Sequence, residues 1–127
     1  MVNMQRNSPA KLILLIDNGG DVLSLINAVE IPSGHICILV RAQDWAVQFL
    51  KSIRPDAILV NWEAIRTAHP TMLHEIYKLN IGCPLVFITD AGAQSAPPNP
   101  MYHLTKPLDM EKVKGVLKEC LNLESAA

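Results

Sequence analysis

Polar residues stand where the apolar runs of this sequence stop. Asp17 and Asn18 follow Lys11-Leu12-Ile13-Leu14-Leu15-Ile16, Asn61 closes Ala57-Ile58-Leu59-Val60, and Thr89 closes Pro84-Leu85-Val86-Phe87-Ile88. Lys106 follows Met101-Tyr102-His103-Leu104-Thr105. A carboxylate, two carboxamides, a hydroxyl and an ammonium brought together would form a polar crevice. In it, carboxylate and carboxamide oxygens could ligate a hard cation. Asn18-Gly19-Gly20-Asp21 offers a second chemistry, because two glycines ahead of a helix start can turn backbone N–H groups toward a phosphate. Neither GxGxxG nor a Walker pattern is present, so a nucleotide or flavin binder rests on that loop alone. No CxxC pair and no Cys–His cluster supplies metal-ligand spacing.

The elements that must position these residues can be read from periodicity. The run Ala57–Val60 lacks polar alternation, which predicts a strand buried on both faces of a parallel sheet, and the apolar runs at Lys11–Ile16, His35–Val40 and Pro84–Ile88 read as strands too, with a short fifth one at Met101–Thr105. Between them, Val22, Leu25, Ile26 and Val29 repeat at helical spacing behind a capping Asp21, and Asp44 is placed to cap a helix running to about Ser52. A loop is expected around Trp62 to His69. Pro70 then suits the first turn of a helix carrying Met72, Leu73, Ile76, Tyr77 and Leu79, with Gly82 just past its end. Asp109 caps a last helix with Val113, Val116, Leu117, Cys120 and Leu121 on one face, and Glu124 to Ala127 is expected to fray. Ala91 to Pro100 contains Gly92, Pro97, Pro98 and Pro100, which prohibits all but a short helix before Ala96.

Strands alternating with helices imply right-handed crossovers and a doubly wound three-layer α/β sandwich. In such sheets the carboxyl ends of the strands share one crevice, so Asp17, Asn18, Asn61, Thr89 and Lys106 should converge. The 127 residues suit one domain with a core from about Lys11 to Leu121, and 50% hydrophobic against 18% charged residues fits an aliphatic α/β core. A formal net charge of -1 favours neither nucleic acid nor an anionic membrane surface. Cys37, Cys83 and Cys120 are far apart and sit in or beside apolar runs, as expected of buried free thiols in a reducing compartment. Met1 to Lys11 is polar, and no apolar run approaches the roughly 20 residues of a membrane span, so a cytoplasmic location is expected.

Taken in order, four segments resemble the receiver domains of two-component response regulators. They are Leu14-Leu15-Ile16-Asp17-Asn18, Pro55-Asp56-Ala57-Ile58-Leu59-Val60-Asn61, Pro84-Leu85-Val86-Phe87-Ile88-Thr89 and Leu104-Thr105-Lys106-Pro107-Leu108. The resemblance spans about Lys11 to Leu121 and implies a CheY-like, flavodoxin-like fold with five parallel strands in the order 2-1-3-4-5. It implies a signalling module and not an enzyme. Its partners would be proteins, either a histidine kinase or other signalling protein or an output domain, with a homodimer also open. In the family the helix and strand before the last helix, together with that helix, form the output and dimerisation face. Here Thr89 and Lys106 are only 17 positions apart, so the fourth helix is expected to be shortened or absent. The segment Ala96-Pro97-Pro98-Asn99-Pro100 could then serve as a rigid loop or an extended recognition strip.

The departures from the family pattern decide the expected chemistry. The family's reaction needs an acidic pair for Mg²⁺ and an aspartate nucleophile at the end of the third strand. Asp17 matches the first acid, but Asn18 takes the second position and Asn61 the phosphoacceptor position. A carboxamide carries no formal charge and cannot form an acyl phosphate. The expectation is a degenerate, or pseudo-, receiver without a cofactor, holding Mg²⁺ through Asp17 weakly at best, and acting by protein interaction outside the usual phosphorelay. Lys106, which would contact the phosphoryl group, is expected to pair with Asp17, an interaction of about 1 to 4 kcal/mol at 4 Å before desolvation. Thr89 matches the switch hydroxyl and is expected to bond a loop backbone, while His103 stands at the aromatic switch position with no special role expected. Two alternatives remain: a conventional regulator phosphorylated on another acid such as Asp56 or Glu63, and a small flavodoxin-like nucleotide or flavin binder. Asp56 should lie at the opposite end of the sheet, and Glu63 should face solvent. Trp45, Trp62, Ile65 and Met72 mark a partner surface if exposed and packing if buried.

Overall fold

The computed structural model describes residues 10–31, 34–68, 71–79, 82–92 and 102–121. Its elements run β1 (Lys11–Ile16), α1 (Asp21–Ala28), β2 (His35–Val40), α2 (Asp44–Ser52), β3 (Ala57–Asn61), α3 (Trp62–Ala68), α4 (Met72–Leu79), β4 (Leu85–Thr89), β5 (Tyr102–Thr105) and α5 (Met110–Cys120). The strands form one parallel sheet in the order β2-β1-β3-β4-β5. This is the expected doubly wound architecture, and its register brings Ile16 beside Val60 and Asn61 beside Ile88.

Each central strand divides its side chains between two cores, as the period-2 geometry of a strand requires. Ile13 and Leu15 of β1, Leu59 of β3 and Val86 and Ile88 of β4 face Val22 and Ile26 of α1 and Val113 and Leu117 of α5. Leu14, Ile16, Ile58, Val60 and Phe87 face the other way, onto Ala46, Val47 and Leu50 of α2, Ile65 of α3 and Met72, Leu73 and Ile76 of α4. Because both faces are covered, the sheet needs continuous apolar runs, and the polar residues that end them sit at its rim.

Four local expectations need correction. The stretch from Trp62 is a helix, not a loop: Ala64 and Ile65 are buried against the sheet, and the Asn61 side chain accepts the Glu63 N–H, giving the first turn a cap. Asp21 is the first helical residue, and the capping position falls on Gly20 without a side-chain bond. Asp44 likewise opens α2, whose capping position is Gln43. The predicted Val29 end of α1 is its extended C-cap. Asp109 does cap α5, accepting from the Lys112 N–H at 2.8 Å. Gly82 has φ +81°, a left-handed conformation that costs glycine least. Pro70, the proposed short helix and proline strip within 93–100, Met101, and the tail from Glu124 lie outside the described residues.

The three cysteines are free thiols. Cys120 is buried and Cys37 and Cys83 are half-buried. Burial pushes Cys37 up to about 12 and Cys120 up to about 11, and it raises Cys83 with help from the nearby Asp56 charge.

Candidate functional site

Asp17 leaves β1 at the carboxyl end of the sheet, anchored by its N–H to the Val40 carbonyl at 3.1 Å. Its side chain is only 5% exposed. One oxygen, Oδ1, accepts from the Asn18 N–H at 2.7 Å and from Asn61 Nδ2 at 2.9 Å. The second of these bonds joins the ends of β1 and β3 directly through two side chains.

Asn61 is the last residue of β3 and is 8% exposed. Its amide nitrogen donates to Asp17, while its oxygen accepts the Glu63 N–H at 3.2 Å and caps α3. A carboxamide fills both roles at once, whereas an ionised carboxylate accepts and cannot donate. The residue that lacks phosphoacceptor chemistry therefore has a structural function that an ionised aspartate could not perform.

Asn18 contributes differently from the expectation. Its Oδ1 accepts the Ala42 N–H at 3.1 Å, and its carbonyl accepts from Arg41 at 2.6 Å, so it clamps the loop after β1 to the loop after β2. Its side chain is thereby committed to the β2 side and does not line the central cavity.

Lys106 also departs from the expectation. Its Nζ lies 3.4 Å from Asp90, not in an ion pair with Asp17, and both partners are partly exposed. Asp90 follows β4 directly, and the parallel pairing that sets Thr89 beside Thr105 carries Lys106 to it. The Lys106–Pro107 peptide bond is cis.

Thr89, 5% exposed, places its hydroxyl 2.7 Å from His103 Nε2, one strand away on β5. The hydroxyl therefore engages a side chain rather than a loop backbone, and His103 acquires a partner despite being exposed. Glu63 pairs with Arg66 one turn along α3, outside the crevice. That bond and its charge hold the exposed Arg66 guanidinium above its usual range. Asp56 accepts the Leu12 N–H at 2.8 Å, which places it at the opposite end of the sheet as expected. Ile65 and Met72 are fully buried, and half-buried Trp62 meets Phe87 edge to face at 6.0 Å, so these residues are packing. The Trp45 side chain lies outside the described residues.

A cavity of about 630 Å³ opens at this end of the molecule. Asp17, Asn61 and Lys106 line it together with Asp21 and Gly19, and Val22, Leu25, Pro107 and Leu108 supply an apolar wall. Sequence reasoning named Asp21 as part of the glycine loop and as a cap but not as a second carboxylate in the crevice, and it missed Asp90 on Lys106. The signal for Asp90 was its position, an acid directly after the Thr89 strand end.

Several solved structures share this fold. A signal receiver domain from Vibrio parahaemolyticus superposes with a TM-score of 0.72 at 17% identity, covering 89% of this chain and 91% of that one. The receiver domain of the PhyR response regulator from Erythrobacter litoralis gives 0.70 at 17% identity, covering 94% and 95%. The anti-anti-sigma factor PhyR from Bartonella quintana gives 0.67 at 19% identity, covering 92% of this chain and 49% of that longer protein. No protein-family model matches the sequence, and no curated protein sequence matches it. The chain has the receiver fold of response regulators. Among the described residues no helix is long and apolar enough to cross a membrane.

Proposed function

We propose that this chain is a pseudo-receiver: a cytoplasmic signalling domain that works through protein contacts, performs no catalysis and is not switched by aspartyl phosphorylation. The observation that carries this reading is the 2.9 Å bond from Asn61 Nδ2 to Asp17 Oδ1. In a phosphorylated receiver these two positions face a metal ion and a phosphoryl group. Here they face each other, and the bond uses a donor that aspartate lacks.

The donor set supports the same conclusion about Mg²⁺. A hard cation of that size wants near-octahedral oxygen coordination. Asp17 Oδ1 already accepts two hydrogen bonds, the Asn61 oxygen caps α3 and the Asn18 oxygen holds Ala42. Among the described residues no group of three His, Cys, Asp or Glu side chains is arranged to hold a metal. These residues do not fit the ion. The glycine loop fares no better as a phosphate site, because a phosphate entering the cavity would meet Asp17 and Asp21.

A protein-contact role is consistent with the fold neighbour PhyR, an anti-anti-sigma factor. The test is to incubate the protein with Mg²⁺ and a small phosphodonor, then measure the intact mass. An unchanged mass is expected, whereas an increment of one phosphoryl group, mapped to any aspartate or glutamate, would overturn the proposal.

A further inference from the structure

Among the described residues, no cation pairs with the buried carboxylate of the crevice. Asp17 is 5% exposed and lines the cavity, and its hydrogen-bond donors, the Asn18 N–H and the Asn61 amide, are both neutral. The lysine that shares the cavity is drawn to Asp90 instead. Among the described residues no cation forms an ion pair with Asp17, and its second oxygen receives no hydrogen bond. Asp21 adds a second negative charge to the same cavity. The chain between β4 and β5, Ala91 to Met101, contains no lysine, arginine or histidine. A buried carboxylate gains most from a cation that also supplies hydrogen bonds.

The shape of the cavity narrows the choice of cation. Val22 and Leu25 of α1 and Pro107 and Leu108 before α5 form an apolar wall beside the two carboxylates. A small metal ion cannot use such a wall and finds too few free oxygens. A cationic head on an aliphatic stem uses both surfaces, as lysine and arginine side chains do when they lay their methylenes along apolar residues. We propose that this cavity receives a lysine or arginine side chain presented by a protein partner, with the cation against Asp17 and Asp21 and the stem along Val22, Leu25 and Leu108. The inference rests on the pseudo-receiver reading and names the chemistry by which its crevice is recognised.

The whole chain, labelled with nitrogen-15, can be titrated with n-propylguanidinium and with n-butylammonium, which reproduce the two side chains. Saturable amide shifts are expected at Asp17, Asp21, Val22, Leu25 and Leu108, with the stronger of the two compounds identifying the preferred residue type. n-Butanol, which has the stem without the charge, should bind at least tenfold more weakly, the scale of a hydrogen bond to a charged group. Asp17→Asn removes the charge but keeps an oxygen for the Asn18 and Asn61 donors, and it should weaken the cation at least tenfold. If that variant does not fold, Asp21→Asn takes its place, with a smaller, severalfold loss expected because Asp21 is exposed. Overturning results are the absence of saturation, equal binding of n-butanol, or a response indifferent to loss of the carboxylate charge. A parallel titration with Mg²⁺ and beryllofluoride separates the two proposals. Binding there refutes the pseudo-receiver reading, whereas silence there and with the alkyl cations refutes only the cation pocket.

Discussion

Asn61→Asp restores the residue that receiver chemistry would require, and the structure predicts that it destabilises the fold. The substitution removes the donor to Asp17 and sets a second carboxylate where the bonded atoms stand 2.9 Å apart. Two unit charges at that separation repel by about 6 kcal/mol at an effective dielectric of ~20. The pair can escape that repulsion by sharing a proton, as close carboxylates do. Taking up a proton at pH 7 against an ordinary carboxylate value near 4 costs about 4 kcal/mol, and the cheaper route governs. A loss of about 4 kcal/mol is a large share of the ~5 to 15 kcal/mol that holds a domain of this kind together.

The sign of the pH dependence follows. Sharing raises the pair's folded-state value above its unfolded one. The variant's stability is therefore fully present below about pH 4 and is lost as pH rises toward 7. Urea unfolding of the variant and the parent, in EDTA at pH 4 and pH 7, measures both quantities. A variant within ~0.5 kcal/mol of the parent at pH 7 without metal would refute the account of the Asn61–Asp17 bond.

Three further outcomes are expected. Thr89→Val removes the hydroxyl bonded to His103 and should cost about 1 kcal/mol, because the exposed imidazole can turn to water; equilibrium unfolding reads this directly. Cys37 and Cys120, pushed up to about 12 and about 11 by burial, should alkylate slowly at pH 8 in the native state and quickly in urea, as intact mass against time will show. The same raised values predict that folding stability declines as pH climbs from about 9, where unfolded thiols ionise, toward 12, and an alkaline unfolding series tests that slope.

Much of the fold was legible because a sheet covered on both faces demands unbroken apolar runs, and those runs stop at its rim. That arithmetic placed Asp17, Asn61, Thr89 and Lys106 at one end of the molecule. What side chains do at that rim is set by distances of a few ångströms, which spacing along the chain does not encode. Asn61 was legible as the polar end of the third strand but not as a cap, although a carboxamide ahead of Trp62-Glu63-Ala64-Ile65 is a helix start in its own right. Lys106 was assigned to Asp17 because family order makes them neighbours, yet Asp90, one residue past β4, draws the ammonium away. Asn18 looked like half of a ligand pair, and its oxygen was taken by Ala42 across the gap to β2, a contact between residues 24 positions apart.

The most direct measurement of the central claim is the Asn61 side-chain amide itself, observed by nitrogen-15 NMR in EDTA, in Mg²⁺, and in Mg²⁺ with beryllofluoride. A donor fixed on a buried carboxylate should give one resolved pair of amide proton signals, slow to exchange with water and unchanged across the three conditions. A saturable shift or loss of those signals on adding metal and phosphate mimic would show that the crevice still opens to the family's ligands, and would contradict the account.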